Sequence, residues 1–191
     1  MYDSLFKLIS TRVVLNDKEI ILCKQYFEPV LFPKNHIIEE EGKIPRYLYF
    51  VVSGFLRLFH YNDFGEEVTT HIECPKGFIS DYSNFVTQTK SSENVECITD
   101  CELLKISKKN LDILTNENSV FKDFSIHVFQ QSIVYYENRS REFATNNAEQ
   151  RYLKLIEKYP AIILNVPLQY IASFLGINPK SLSRIRKQII R

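Results

Sequence analysis

The sequence predicts an α+β protein built from an antiparallel β jelly roll, a long dimerisation helix and a small C-terminal helix-turn-helix domain. Three observations predict this order. Short runs of β-branched and aromatic residues fill positions 29–107, a helical pattern extends over 119–144, and two short amphipathic segments joined by a glycine follow. We place the domains at residues 1–117, 118–145 and 146–191.

The composition is that of a globular protein. With 191 residues, of which 45% are hydrophobic, the chain is able to bury a sizeable core. Cys23, Cys74, Cys97 and Cys101 show neither a disulfide framework nor the paired spacing of structural zinc sites. No apolar run approaches the roughly 18 residues of a membrane span. We therefore expect a reducing, cytoplasmic setting with no membrane partner.

The amino-terminal part changes its hydrophobic period twice. Two short helices are expected between residues 4 and 27, the second of them capped by Asn16. Strands and turn signals then alternate, and the predicted strands are 37–38, 47–52, 55–61, 67–74, 94–98 and 102–106. About eight short strands at this spacing predict an antiparallel sandwich or jelly roll.

A polar, hydroxyl-rich insertion interrupts the roll between residues 77 and 93. Such a loop is where a ligand site is commonly built, although an ordinary surface loop with a short helix fits the pattern equally well. The candidate effector pocket consists of Ser80, Asp81, Tyr82, Lys90, Ser91 and Ser92.

The long helix carries two apolar stripes about a third of a turn apart. One stripe contains Phe121, Phe124, Val128 and Tyr135, and the other contains Ile126, Phe129, Ile133 and Tyr136. A helix with two apolar faces needs two partners, so we expect one face on the roll and one on the same helix of a second subunit, in a homodimer. We assign the dimer contact to the Phe121 stripe, while the pattern leaves open which stripe faces the partner. The alternative is a helix buried wholly within its own chain.

The long helix is interrupted at residues 145–147, which predicts a hinge. Asn146 and Glu149 have the spacing of a capping box for the next helix, which Pro160 ends. Residues 161–164 are expected to form a short strand.

The last segment has the pattern of a helix-turn-helix. Leu168, Ile171, Ala172 and Leu175 recur at helical spacing and form one apolar face. Gly176 then marks a helix end, Asn178 is placed to cap a new helix, and Pro179 opens it. The second helix of such a pair can enter the major groove of DNA.

Charge is concentrated in this part of the chain. From Arg151 onwards there are eight lysines and arginines and one acidic residue, a formal charge of +7, while the whole chain has +1. A basic module on an acidic body predicts a polyanionic partner, here double-stranded DNA. The candidate DNA-binding residues are Asn178, Lys180, Ser181, Ser183, Arg184 and Lys187, with Arg186 and Arg191 as further phosphate neighbours.

Several motifs resemble the Crp/Fnr family of bacterial transcription regulators. They are YLYFVVSGFLR at 47–57, GEEV at 65–68, PKG at 75–77 and IASFLGINPKSLSR at 171–184. The resemblance covers nearly the whole chain. It implies sequence-specific DNA binding as a homodimer, with the roll as a sensory domain and RNA polymerase as a further candidate partner.

The resemblance breaks at the phosphate cassette of the cyclic-nucleotide-binding members. These have Gly-Glu, then some nine residues, then Arg-Ser or Arg-Thr, where this chain has Ser80-Asp81 and Ser91-Ser92. The arginine that grips the cyclic phosphate is missing, which removes a charged hydrogen bond and about ten- to a hundred-fold in affinity. We therefore expect no cyclic AMP and no other known cofactor, with the effector left open.

The rival hypothesis is a jelly-roll small-molecule-binding protein or enzyme whose C-terminal helices make protein contacts. No catalytic motif or histidine cluster supports an enzyme, and Asp81 is the only candidate acid. His36, His60, His71 and His127 are scattered singly, so no metal site is expected. An iron-sulfur sensor is equally unsupported, since the N-terminal region offers only Cys23.

Overall fold

The computed structural model describes residues 1–189, and within them the chain forms eight strands and nine helices. The strands are β1 (Glu28–Phe32), β2 (Ile37–Glu39), β3 (Tyr47–Ser53), β4 (Leu56–Tyr61), β5 (Glu67–Glu73), β6 (Phe78–Ile79), β7 (Asn94–Cys97) and β8 (Cys101–Ser107). The helices are α1 (Tyr2–Ile9), α2 (Asp17–Tyr26), α3 (Tyr82–Thr87), α4 (Lys108–Glu117), α5 (Ser119–Thr145), α6 (Ala148–Lys158), α7 (Ile162–Asn165), α8 (Leu168–Phe174) and α9 (Pro179–Ile189). This mixture of helices and antiparallel strands confirms the predicted fold class.

The strands form two four-stranded antiparallel sheets, in the orders β1-β8-β3-β6 and β2-β7-β4-β5. The six strands predicted by residue range are confirmed to within one residue at each end. The other two, β1 and β6, lie at the edges of the first sheet, where a strand packs on fewer neighbours and its hydrophobic pattern is weaker.

The roll has two apolar layers. The layer between the two sheets contains Tyr49, Val51, Leu56, Leu58, Val95 and Leu103. The layer between the first sheet and helices α1, α2, α4 and α5 contains Leu5, Ile9, Phe50, Leu104, Leu114, Phe121 and Phe124. Asn16 caps α2 as predicted, because its side chain accepts hydrogen bonds from the backbone N–H groups of Lys18 and Glu19.

Helix α5 has 27 residues and is therefore about 40 Å long at 1.5 Å per residue. Phe121 and Phe124 are 3% and 7% exposed, and both pack inside the roll of their own chain together with Val128. Tyr135 lies edge-on against the ring of His71, with 5.7 Å between the ring centroids. Assigning this stripe to the dimer contact is therefore wrong, because the roll already covers it.

The second stripe of α5 faces solvent. Ile126, Phe129, Ile133 and Tyr136 are between 36% and 59% exposed. The structure thus covers this face only in part, since the Phe129 ring lies 5.0 Å from that of Tyr82 and the Tyr136 ring 6.3 Å from that of His71, between ring centroids. None of the helices within residues 1–189 is long and apolar enough to cross a membrane.

Two local predictions after α5 are wrong. Helix α6 is capped by Asn147, which forms a reciprocal capping box with Gln150, so the predicted pair of Asn146 and Glu149 is one residue too early. Both pairs satisfy the same sequence pattern, which explains the shift. Residues 161–164 belong to a turn and to α7 rather than to a strand, since Ile162 is 1% exposed and packs among helices.

Candidate nucleic-acid interface and effector pocket

Helices α8 and α9 meet at a tight turn that follows the sequence prediction. Gly176 has a φ of 68°, which glycine adopts more readily than any other residue, and an added side chain would meet the ring of Phe143 at 3.0 Å. Asn178 caps α9, since its Oδ1 accepts a hydrogen bond from the N–H of Ser181 at 2.8 Å. Pro179 is the first residue of α9 and needs no donor there.

The facing sides of the two helices form the core of this unit. Ile171, Ala172, Leu175 and Leu182 are between 0% and 3% exposed. Because α9 buries its apolar side against α6 and α8, its opposite side lies in solvent. That outer face of α9 presents Lys180, Arg184 and Lys187.

The other candidate DNA-binding residues differ in accessibility. Ser181, Ser183 and Arg186 are half-buried, whereas Asn178 is exposed but already uses its side-chain oxygen as the cap. Arg191 lies outside the described residues. The structure therefore brings the predicted basic residues of α9 together on one accessible surface.

The helix-turn-helix unit packs on the second sheet of the roll. Phe55, Ile72 and Ile98 of the roll share an apolar cluster with helix residues of the C-terminal unit. Strand β5 is the edge strand of that sheet, and the N–H of Thr69 donates a hydrogen bond to Ser173 Oγ of α8 at 2.9 Å. Helix α8 thus covers a sheet edge whose backbone groups would otherwise be unpaired.

Arg57 joins the roll to this unit and was not identified from the sequence. Its side chain is 1% exposed and pairs with Glu96 at 2.6 Å and with Glu67 at 2.5 Å. Its guanidinium carbon lies 4.0 Å from the ring centroid of Phe59 and 3.6 Å from that of Tyr170 on α8. Arg57 stands within the apolar run of a central strand, and this pattern could have identified it from the sequence. A charge buried there must be paired.

Two further arginines attach α5 and α6 to the end of α8. Arg139 donates a hydrogen bond to the carbonyl oxygen of Phe174 at 3.0 Å and lies over the Phe174 ring at 3.6 Å. Arg151 donates to the carbonyl oxygen of Leu175, also at 3.0 Å. Cations at a helix carboxyl end complement its dipole, so the helix-turn-helix unit is held by α5 as well as by the roll.

The candidate effector pocket is closed by its own hydrogen bonds. Asp81, which caps α3, accepts from Ser91 Oγ at 2.8 Å and from the N–H of Ser92 at 3.0 Å. Ser80 donates to the carbonyl oxygen of Tyr47 at 3.1 Å. Lys90 is exposed, and burial raises the pKa of Tyr82 to about 12. The structure brings Asp81, Ser91 and Ser92 together, but their polar groups bind one another.

The surroundings of this cassette are acidic. Burial raises the pKa of Glu93, the Asp81 carboxylate raises it further, and a hydrogen bond from Thr70 opposes the shift. Two carboxylates at this place disfavour a bound anion such as a phosphate group.

Possible metal ligands and the cysteines within residues 1–189 are alternative candidates for a functional site. No group of three or more His, Cys, Asp or Glu side chains in this part of the chain could hold a metal ion. Cys97 and Cys101 are free and buried between the sheets, where the neighbouring Cys101 thiol and burial raise the pKa of Cys97. They meet across the hairpin between β7 and β8 and pack as small apolar side chains.

The sequence profile of the cyclic nucleotide-binding domain matches residues 29–118. A comparison with curated proteins finds no match. Among solved structures, FixK2 from Bradyrhizobium japonicum is similar with a TM-score of 0.73 at 15% identity, over 85% of this chain and 84% of that protein.

Two other solved structures cover similar lengths. The regulator CLP from Xanthomonas campestris, described as c-di-GMP responsive, has a TM-score of 0.65 at 17% identity over 91% of each chain. A CRP/FNR-family transcriptional regulator from Thermus thermophilus has a TM-score of 0.65 at 19% identity over 86% of each chain. The resemblance inferred from the sequence is confirmed for the fold, since residues 29–118 match the cyclic nucleotide-binding domain and the chain shares the fold of these solved structures.

We predict that Tyr170→Leu lowers the free energy of unfolding by about 1 to 2 kcal/mol, because it removes the ring stacked on the desolvated guanidinium of Arg57. Tyr170→Phe keeps the ring and is the matched control, with an expected loss below about 0.5 kcal/mol. Urea unfolding followed by circular dichroism measures both values. Equal losses for the two variants would show that the hydroxyl, and not the ring, makes the contact.

Proposed function

We propose that this chain is a transcription regulator of the Crp/Fnr type, which binds double-stranded DNA through α9 and acts as a homodimer. The observation that carries the proposal is the basic outer face of α9, presented on a capped and packed helix-turn-helix. The similar structures from Xanthomonas campestris and Thermus thermophilus are named as regulators, which supports a regulator rather than an enzyme. We keep the domain division at residues 1–117, 118–145 and 146–191, and RNA polymerase remains a candidate partner.

We assign each residue of α9 a role in DNA binding from its exposure and its position along the helix. Lys180 and Arg184 are exposed one turn apart near the start of the helix, the part that enters the major groove deepest in helix-turn-helix proteins, with Ser181 and Ser183 beside them. Arg184 can donate two hydrogen bonds to a guanine edge, whereas Lys187 lies a turn further along and suits a backbone phosphate. The amino end of α9, beside Asn178, offers free N–H groups for another phosphate.

The proposed homodimer depends on the half-exposed second stripe of α5. Ile126, Phe129, Ile133 and Tyr136 form a continuous apolar face on a helix about 40 Å long. Pairing of this stripe about a two-fold axis would bury it and hold two copies of α9 at a fixed separation, as a palindromic site requires.

Cyclic AMP does not fit the cassette as an effector. The cassette lacks the phosphate-gripping arginine, and its Asp81 already accepts the hydrogen bonds of Ser91 and Ser92. A cyclic phosphate would have to displace these bonds and approach two carboxylates, those of Asp81 and Glu93.

For DNA binding, we expect Arg184→Ala to weaken the preferred site by about 1 to 3 kcal/mol and to relax its sequence preference. Lys187→Ala should weaken all sequences alike and reduce the salt dependence, because it removes a phosphate contact. Fluorescence anisotropy with a site selected from random DNA, at several salt concentrations, measures both effects. Lys24→Ala, an exposed lysine on α2, is the control and should change neither. Sequence-blind losses of equal size for Arg184 and Lys187 would contradict these roles.

For assembly, we expect Ile133→Asp to convert the dimer to monomers, because it places a charge in the middle of the apolar stripe, where Ile133 is 59% exposed in the single chain. Leu164→Asp is the matched control, since Leu164 is 88% exposed on α7. Sedimentation velocity measures the masses, and circular dichroism verifies that both variants are folded. A dimer that persists in folded Ile133→Asp would place the subunit contact elsewhere.

For the effector, we expect cyclic AMP at micromolar concentration to leave the melting temperature unchanged. A ligand at a hundred times its dissociation constant would stabilise the protein by about 2.7 kcal/mol, which is easily seen. Thermal denaturation of the full chain with and without cyclic AMP tests this, with AMP as the control. A rise of several degrees that is specific to cyclic AMP would overturn the exclusion.

A further inference from the structure

A cavity of about 120 Å³ lies where the carboxyl half of α5 meets α6 and the end of α8. Four basic residues line it, namely Arg139 of α5 and Arg151, Lys154 and Lys158 of α6. Among residues 1–189, Glu142 is the only acidic residue in its lining, so four positive charges face one negative charge, a formal +3. We refer to this space as the basic cavity. It shares no residue with the outer face of α9.

Most of this positive charge lacks a counter-charge within residues 1–189. Lys154 pairs with Glu142, with 3.0 Å between Nζ and Oε1. Among the described residues, Arg139, Arg151 and Lys158 form no ion pair with a carboxylate. Arg139 and Arg151 are half-buried, and an unpaired charge in such a place costs free energy that a bound anion would recover.

Aromatic rings line much of the basic cavity but do not neutralise it. The guanidinium carbon of Arg139 lies 3.6 Å from the centroid of the Phe174 ring. Lys158 Nζ lies 5.1 Å from the centroid of the Tyr159 ring. A ring face attracts a cation through its quadrupole and carries no net charge. The rings therefore help to hold the basic groups in place, while the formal charge of +3 is retained.

The two arginines keep unused donors. Arg139 donates to the carbonyl oxygen of Phe174, and Arg151 donates to the carbonyl oxygens of Asn146 and Leu175. A guanidinium group has five N–H donors, so donors remain on both side chains after these bonds. Because the carbonyl groups already fix both guanidinium groups, an anion that binds them orders little else.

This arrangement suits a phosphate group better than a carboxylate. A phosphate group carries about −1.5 to −2 charges at pH 7 and has three strong acceptor oxygens, whereas a carboxylate has one charge and two oxygens. The basic cavity is smaller than an apolar cavity of about 150 Å³ that holds benzene in another protein. It therefore accepts a phosphate group, with the rest of any larger molecule outside.

We propose that the basic cavity binds the phosphate group of a small molecule through Arg139, Arg151 and Lys158. A phosphate group bound there connects α5 with α6 across residues 146–147, which separate the two helices. The inference goes beyond the proposed function, because the site lies apart from the outer face of α9 and its ligand is measured without DNA.

Inorganic phosphate and methyl phosphate are the two probes, and the tighter of them tells whether the group is bound as the free ion or as an ester. Isothermal titration calorimetry of the full chain at constant ionic strength should show saturable binding of at least one. Acetate, the carboxylate control, should bind about ten-fold more weakly, because it has less charge and one oxygen fewer. No saturable binding of either phosphate compound, or acetate binding of equal strength, would overturn the proposal.

Two variants locate the ligand without disturbing the arginines that hold α8. Lys158→Gln should weaken phosphate binding by about two- to five-fold, since it removes an exposed cation, and Glu142→Gln should strengthen it by a similar factor, since it removes the carboxylate. Lys122→Gln and Glu137→Gln, on α5 but outside the basic cavity, are the matched controls and should change nothing. Circular dichroism verifies folding. Phosphate affinity that is the same in Lys158→Gln and Lys122→Gln, or that does not rise in Glu142→Gln, would show that this site does not hold the ligand.

Discussion

The buried charge of Arg57 is the constraint on which the arrangement of this molecule depends. A guanidinium that is 1% exposed must recover the hydration it has lost, and the roll alone supplies only part of this through Glu96, Glu67 and the face of Phe59. The remaining face is covered by Tyr170, which belongs to α8. Removing the C-terminal unit would therefore expose one side of a charge network in the middle of the sheet. The roll and the helix-turn-helix unit therefore pack directly on each other and are not merely linked by α5.

Local rules explain which features the sequence predicted well. Gly176, Asn178 and Pro179 each act through the backbone of their own turn, so the helix-turn-helix follows from three neighbouring residues. The sequence does not predict which element covers a given apolar surface, because the covering residues lie far away in the chain. The Phe121 stripe and the Ile126 stripe look alike in sequence, and only the position of the roll decides that the first is covered. The role of Arg57 was missed for the same reason, since Tyr170 lies more than a hundred positions later.

Positive and negative charges are also separated between the two halves of the chain. The C-terminal unit carries the excess of positive charge. Arg139 and Arg151 bind the carbonyl groups at the end of α8, while Arg184 and the lysines of α9 face outwards. The roll concentrates carboxylates instead, at Asp81, Glu93 and around Arg57. We expect Asp81 and Glu93 to repel phosphate groups, which favours α9 as the surface that contacts the proposed DNA partner.

Strand β5 contacts both the long helix α5 and the helix-turn-helix unit, and a bulge makes this possible. The register of β4 and β5 pairs Leu58 with His71 but Phe59 with Thr69, so Thr70 is an extra residue. Because neighbouring side chains of a strand point to opposite faces, His71 lies against Tyr135 of α5 while Ile72 packs into the C-terminal cluster. The extra residue at the bulge shifts this alternation, so that Thr69 lies beside α8. Its N–H donates a hydrogen bond to Ser173 Oγ. One strand therefore contacts both the long helix, through His71, and α8, through Thr69, with the extra residue Thr70 between them.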